Sequence, residues 1–316
     1  MALSLTEAAK LSTDDLQRGV IETIIEDAPL LQLLPFMDVS GNAYAYVQEN
    51  ALPSVGFRAV NAGYTEAAGT FTEKSESLKI LGGDVDVDRF IIRTRPGVVA
   101  DQRAEQTRMK AKAVRRAFQD SFINGDGTAD SFTGLKTRFA TLTAQVLDSG
   151  VTDGMPIVGT TDTERHAFLD KLDELFTLIP GGPDILLTNR QLLAKFKSAA
   201  RRLTIYDETK TEFGTQVSTY NGVPIVDIGE DEAGNQIIPQ TETQGASSVA
   251  GSIYAVRFGR SPEEKGTTGL TNGGVQVYDL GEVDDKPAFR TRIEFYCALA
   301  LHGDASAARL EGLLAS

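Results

Sequence analysis

The chain has one cysteine, no tryptophan and two histidines in 316 residues. The lone Cys297 excludes an internal disulfide framework and any zinc site made of several cysteines, and it fits a reducing compartment. With only His166 and His302 available as bases, the vocabulary of nucleophilic catalysis is thin. No apolar run approaches the roughly 20 residues that span a bilayer. The opening "MALSLTEAAKLSTDD" lacks the basic start and long apolar segment of a secretion signal. A basic excess is also missing: 44 acidic residues against 31 basic ones give a net charge of −13. Proteins that grip DNA neutralise its phosphates with a basic field. This charge suits a protein that sits near nucleic acid without adhering to it.

What is present is the composition of a folded domain, 41% hydrophobic and 24% charged, in a chain long enough for one large domain or two ordinary ones. "STDDLQRGVIETIIEDAPLLQLLPF" starts with capping signals at Ser12 or Thr13, followed by Asp14 and Asp15. Leu16, Val20, Ile21 and Ile24 then recur at helical spacing until Pro29 and Pro35 break the pattern. So short an amphipathic stripe needs a surface to lie on, in its own domain or on a neighbouring chain. From Val39 to Arg95 the period changes to two, with Gly, Pro and Asn between the strands. This stretch is glycine-rich and weakly hydrophobic, and it reads as a β-hairpin extending away from a core.

Within it, Asp84, Asp86 and Asp88 alternate onto one strand face. A calcium loop of the EF-hand kind would need Gly at its sixth position and Glu at its twelfth, where Arg89 and Arg95 stand. A solvated or salt-bridged face is the expectation. "VADQRAEQTRMKAKAVRRAFQDSFIN" is the strongest helix, with Ala104, Thr107, Ala111, Val114, Phe118 and Phe122 on its apolar stripe. Six basic residues and one acid, Glu105, lie between Arg103 and Arg116. In an acidic chain they are expected to make salt bridges rather than to read DNA. "INGDGT" follows this helix. A phosphate loop would precede a helix and end in Gly-Lys-Ser/Thr. An EF-hand reading puts Leu135 where the bidentate Glu belongs. The loop therefore reads as a helix stop and turn leading to "FTGLKT".

From Thr161 to about Ala200 the pattern is α/β. A helix capped by Asp162 or Thr163 carries Phe168, Leu172, Leu175 and Phe176. The buried strand "DILLTN", the helix "RQLLAKFKSAARR" and a hairpin turning at Asn221-Gly222 follow. "GEDEAGNQIIPQTETQGASS" reads as a long polar surface loop. "GSIYAVRFGR" and "GGVQVYDLG" read as strands, and "AFRTRIEFYCALALHGDASAARLEGL" as a strand ending in a short tail. His166 falls on a helix surface, His302 at a strand end and Cys297 inside that strand. No G-x-S-x-G or H-E-x-x-H occurs. No catalytic, cofactor-binding or metal-binding residue and no cofactor is assigned, and the chain is not expected to be an enzyme.

The order of parts, with the motifs "NGDGTADSFTGLKT", "DILLTNRQLLAKFKSA", "YNGVPIVDI", "IYAVRFGR" and "FRTRIEFYCALALHGDASAARL", resembles the tailed-phage major capsid protein family with its Hong Kong 97-type fold. The resemblance implies an α+β capsid fold divided into an N-terminal arm (1–42) and an extended β-hairpin loop (43–95). A peripheral domain with a long spine helix (96–150) and an axial domain (151–274) follow, and residues 275–316 supply the closing strands of the peripheral domain and a C-terminal tail. It implies a structural subunit that assembles with itself into the pentamers and hexamers of an icosahedral shell in the host cytoplasm. That shell, the virion capsid, would enclose double-stranded DNA without sequence-specific binding, with portal, scaffolding and decoration proteins as partners and no membrane. An encapsulin-like compartment enclosing enzymes shares the fold and is the alternative. The family's autocatalytic isopeptide crosslink needs a Lys, an Asn and a Glu from different subunits. Lys74 and Lys79 lie in the loop region, no Asn and Glu match, and the crosslink is not carried over. Some members begin with a long cleaved scaffolding segment. The arm here starts within the first fifteen residues, which implies a separate scaffolding protein or a mature form.

Overall fold

The computed structural model describes residues 3–4, 15–25, 28–94, 99–128, 130–203, 207–210 and 216–316. The capping candidates Ser12, Thr13 and Asp14 lie outside the described residues, as does Arg95. Two sheets and one free-standing hairpin organise the chain. The first sheet runs β1 (Leu3–Ser4), β2 (Pro35–Asp38), β14 (Thr267–Glu282), β15 (Ala288–Leu301) and β5 (Lys79–Asp88). The hairpin pairs β3 (Ala43–Ala51) with β4 (Thr70–Ser77). Of the stretch with period two, Lys79–Asp88 thus leaves the hairpin and lies antiparallel to β15 as an edge strand of the sheet. The second sheet runs β6 (Val146–Asp148), β16 (Ala307–Leu314), β13 (Ser247–Val256), β8 (Ile185–Thr188), β11 (Val223–Asp227), β10 (Gln216–Tyr220) and β9 (Asp207–Lys210). Beside this path, β7 (Met155–Pro156) pairs with β16, and β12 (Glu242–Gln244) pairs with β13.

Each sheet is covered by helices that the apolar spacing dictates. On the long helix Val99–Asn124, Thr107, Ala111, Val114, Phe118 and Phe122 face inward, and Ala104 alone of the expected stripe is exposed. Phe118 meets Phe36 of β2 and Phe295 of β15, each with ring centroids 5.8 Å apart. The helix Asp15–Ile25 buries Val20, Ile21 and Ile24 in the same core, so its stripe docks on its own chain. Pro29 opens the short helix Pro29–Leu33, in the first turn where no amide hydrogen is needed, instead of only ending the one before.

The second core lies between the second sheet and two helices, Asp162–Thr177 and Arg190–Arg202. Thr161 caps the first of these one residue earlier than expected. It forms a reciprocal capping box with Glu164, while Asp162 pairs with Arg165. Asn189 caps the second, accepting from the Leu192 amide at 2.8 Å. β8 is buried on both faces: Ile185 and Leu187 enter the first core and Leu186 the second, so the sheet is a wall shared by both. Asn221 and Gly222 both have positive φ, +50° and +79°, the geometry of a tight β10–β11 hairpin.

Two further sequence expectations change. The chain end is not a tail, because Ala307–Leu314 is an inner strand with Ala308, Leu310 and Leu313 buried in the second core. The 229–248 segment is not wholly a surface loop either. Ile237 and Ile238 are buried in the first core, and the Ile237 carbonyl accepts from the Asn124 amide at 2.9 Å.

The loop after the long helix is held by backbone proximity. A Cβ on Gly125 would come within 2.1 Å of the Phe132 carbonyl oxygen, and one on Gly134 within 2.6 Å of the Gly125 nitrogen. Asp126 closes the turn by accepting from the Thr128 amide and from the hydroxyls of Thr128 and Ser131. These bonds, Ser131 first, hold its carboxyl down to about 2. Its chemistry is that of a turn, as the sequence implied.

Candidate assembly surfaces

Among the described residues the hairpin β3–β4 has no third strand, and two strands alone are marginal in water. Its base is fastened to the body. Tyr46 on β3 is buried and donates its hydroxyl to the Leu301 carbonyl at 2.9 Å, and burial pushes the phenol up to about 12. On β4, Lys74 pairs with Asp304 at 2.8 Å, and Glu76 pairs with Arg138 at 2.8 Å in a largely buried contact. Arg138 also donates to the carbonyls of Leu299, at 2.8 Å, and Thr133, at 3.2 Å. It thereby joins the hairpin, β15 and the glycine loop. Lys265 pairs with Glu49 farther out at 2.7 Å.

Beyond the base the hairpin leaves the protein. Leu52, Val55, Phe57, Val60, Tyr64 and Phe71 are all at least two-thirds exposed. Local contacts shape the tip: Asn61 turns at φ +66°, and Arg58 lies 5.2 Å from the centre of the Tyr64 ring. Scattered exposed apolar residues are ordinary on a surface, but a cluster on one projecting element marks a contact site. The sequence pattern gave the hairpin. The apolar tip residues lacked periodicity and carried only the weaker signal of large side chains among Gly, Pro and Asn. The anchor Arg138 had no local signal.

A second surface is the outer face of the first sheet. Asp84 lies opposite Arg292, and Asp86 opposite Arg290. Each guanidinium donates twice, at 2.7 and 2.8 Å, and Lys286 adds a further bond to Asp86. The arginine hydrogen bonds hold both carboxyls below their ordinary value. Asp88 points to the next element instead, accepting from the Phe90 amide at 2.6 Å. The aspartate row is a salt-bridged face. Among the described residues no cluster of three or more His, Cys, Asp or Glu is placed to hold a metal.

Two of the six basic residues of the long helix meet acids of their own chain: Arg103 pairs with Asp279 at 2.5 Å, and Arg116 lies 3.6 Å from Glu230. Lys79 donates to the Thr128 carbonyl at 2.6 Å. His166 is exposed on its helix, and Cys297 is buried in β15 with its thiol pushed up by burial. His302 is buried at the end of β15, and neither ring nitrogen has a hydrogen-bond partner. These three are not brought together into a nucleophile–base pair. No helix among the described residues is long and apolar enough to cross a membrane.

Comparison with known proteins places this architecture. Residues 12–162 match the family model "Major capsid protein GP7". A solved structure from Microbacterium phage Oxtober96 superimposes with a TM-score of 0.59 at 13% identity, covering 91% of each chain. Just under half of the chain thus matches a major capsid protein model, and the whole of it resembles the tailed-phage major capsid proteins in fold. The capsid of a native GTA particle matches that capsid fold with a TM-score of 0.56 at 13% identity, over 96% of this chain and 92% of the other. The holo-SrpI encapsulin complex of Synechococcus elongatus PCC 7942 gives a TM-score of 0.65 at 19% identity, over 100% of this chain and 98% of the other. No curated protein matches the chain. The fold is thus the Hong Kong 97-type capsid fold.

Proposed function

We propose that this chain is a capsid protein that assembles with itself into pentamers and hexamers that close an icosahedral phage head around double-stranded DNA. Assembly takes place in the host cytoplasm, with portal and scaffolding proteins and a decoration protein as partners. In this reading residues 1–42 serve as arm and the β3–β4 hairpin of the 43–95 stretch as extended loop, with Lys79–Asp88 in the first sheet. Residues 96–150 and 275–306 serve as the peripheral domain, and 151–274 as the axial domain, which Ala307–Leu314 joins through the second sheet.

The observation that carries the reading is the hairpin tip. Among the described residues nothing covers Leu52, Val55, Phe57, Val60 and Tyr64. A second copy supplies that cover in a shell, where every subunit meets an equivalent surface of the next. A net charge of −13 supports a wall that encloses DNA without holding it, because an adhesive wall would oppose packing and release.

Negative-stain microscopy of the purified protein tests this directly, with closed particles or capsomer rings as the expected result. A variant in which Asn-Gly replaces residues 52–69 is expected to stay folded and form neither. Normal shells without the tip would remove the hairpin from the assembly contact. The extent of the match to the encapsulin complex favours a second reading, a protein compartment around enzyme cargo. Nuclease-protected DNA inside purified particles supports the head, and co-purifying packed protein supports the compartment.

A further inference from the structure

His302 sits at the joint between the hairpin and the body. It follows β15 directly, is 3% exposed, and has no partner for Nδ1 or Nε2. Its backbone amide is fixed on the Gly266 carbonyl at 3.1 Å. Its ring packs edge-on against Tyr44 at 5.9 Å and Tyr46 at 5.1 Å, and these two stack on each other at 5.6 Å. Both tyrosines belong to β3, so the imidazole is the body's half of an aromatic joint and the hairpin supplies the other half.

We propose that His302 is a proton-sensitive latch. Neutral, it seats the hairpin against the end of β15; protonated, it releases β3 and lets the hairpin swing.

The surroundings offer an imidazolium nothing. Tyr46 spends its hydroxyl on Leu301. The nearby acids have their own cations: Asp304 has Lys74, Glu76 has Arg138 and Glu49 has Lys265. None of them is hydrogen-bonded to the ring. The tyrosine faces attract a cation, but weakly beside the loss of water from two charged N–H groups. Burial accordingly lowers the pKa of His302. The sign follows by linkage. A group that binds its proton more weakly in the docked state stabilises docking fully above the ordinary histidine value of about 6.5. That stabilisation fades as the pH falls below it. A cleft of about 700 Å³ beside the joint, lined by Gln48, Glu49, Lys265 and Asp304, gives the released ring a place to meet water. The latch lies within one chain and stands whether or not copies assemble.

The chain has only two histidines, so the full-length protein labelled in histidine resolves them by NMR, with exposed His166 as the internal reference. His302 is expected to titrate below the ordinary histidine value of about 6.5. Titration at or above that value overturns the latch. Hydrogen exchange followed by mass spectrometry between about pH 8 and about pH 5 reads the consequence. After correction for intrinsic rates, amides of 43–51 and 70–77 are expected to exchange several-fold faster at the acid end, with those of 250–256 unchanged. His302→Phe is expected to remove this dependence. Hairpin exchange that ignores pH, or that keeps its pH dependence in the variant, refutes the proposal. The wild-type titration decides the matter even where the variant does not fold.

Discussion

At the scale of single residues, the outer sheet face shows how an acidic chain spends its charge. Asp84 and Asp86 stand directly opposite Arg292 and Arg290, so strand register alone delivers two forked ion pairs. The pairs are partly exposed, and solvent screens each of them, so neither is a large term alone. Their pH signature is distinct. Both carboxyls are held below the ordinary value by the arginines, so the stability they add is present above about pH 4 and is lost as the pH falls below it. The double variant Asp84→Asn, Asp86→Asn is expected to be less stable at neutral pH and to lose less on acidification. Thermal midpoints recorded against pH for both proteins test this; superimposable acid limbs would show that the pairs add nothing. A chelator is expected to leave the wild-type midpoint unchanged, since the arginines already occupy the carboxylates.

At the scale of elements, what could be read from the sequence was what local periodicity encodes. The long helix, the fully buried strand Ile185–Thr188, the helix Arg190–Arg202 and the Asn221-Gly222 turn all follow from spacing, caps and turn residues within a few positions. The salt-bridged fate of the aspartate row was legible as well, because its loop geometry failed for a cation. Partnerships across long stretches of chain were not legible. Nothing local in "KILGGDVDVD" says that its partner is β15, and nothing in "AARLEGLL" says that the chain end enters the second sheet. Arg138 has the same character. Its short helix, Leu135–Phe139, is placed by Gly125 and Gly134, and only then does the guanidinium reach Glu76, Leu299 and Thr133. Removing one member of a buried pair strands the other, so Arg138→Ala is expected to cost about 3 kcal/mol. Urea unfolding checks it through the midpoint at unchanged slope. A loss within about 0.5 kcal/mol, the range of an ordinary surface substitution, would mean that the hairpin base does not depend on this contact.

At the scale of the whole molecule, two terms of opposite sign act on association. Each copy carries a net charge of −13, so copies repel. Each also presents the apolar tip residues Leu52, Val55, Phe57, Val60 and Tyr64, whose burial is driven by water and is largely insensitive to modest salt. Raising the ionic strength from about 0.01 M to about 0.1 M shortens the screening length from about 30 Å to about 10 Å. Repulsion between neighbouring copies falls while the apolar contact remains, and assembly is expected to strengthen over that interval. Light scattering of the purified protein across the salt series, with microscopy at each end, measures it. The variant lacking residues 52–69 is expected to stay unassembled at every salt concentration, which separates the apolar contact from mere relief of repulsion. Assembly that weakens as salt rises would place intermolecular ion pairs, not the hairpin tip, at the centre of the contact between copies.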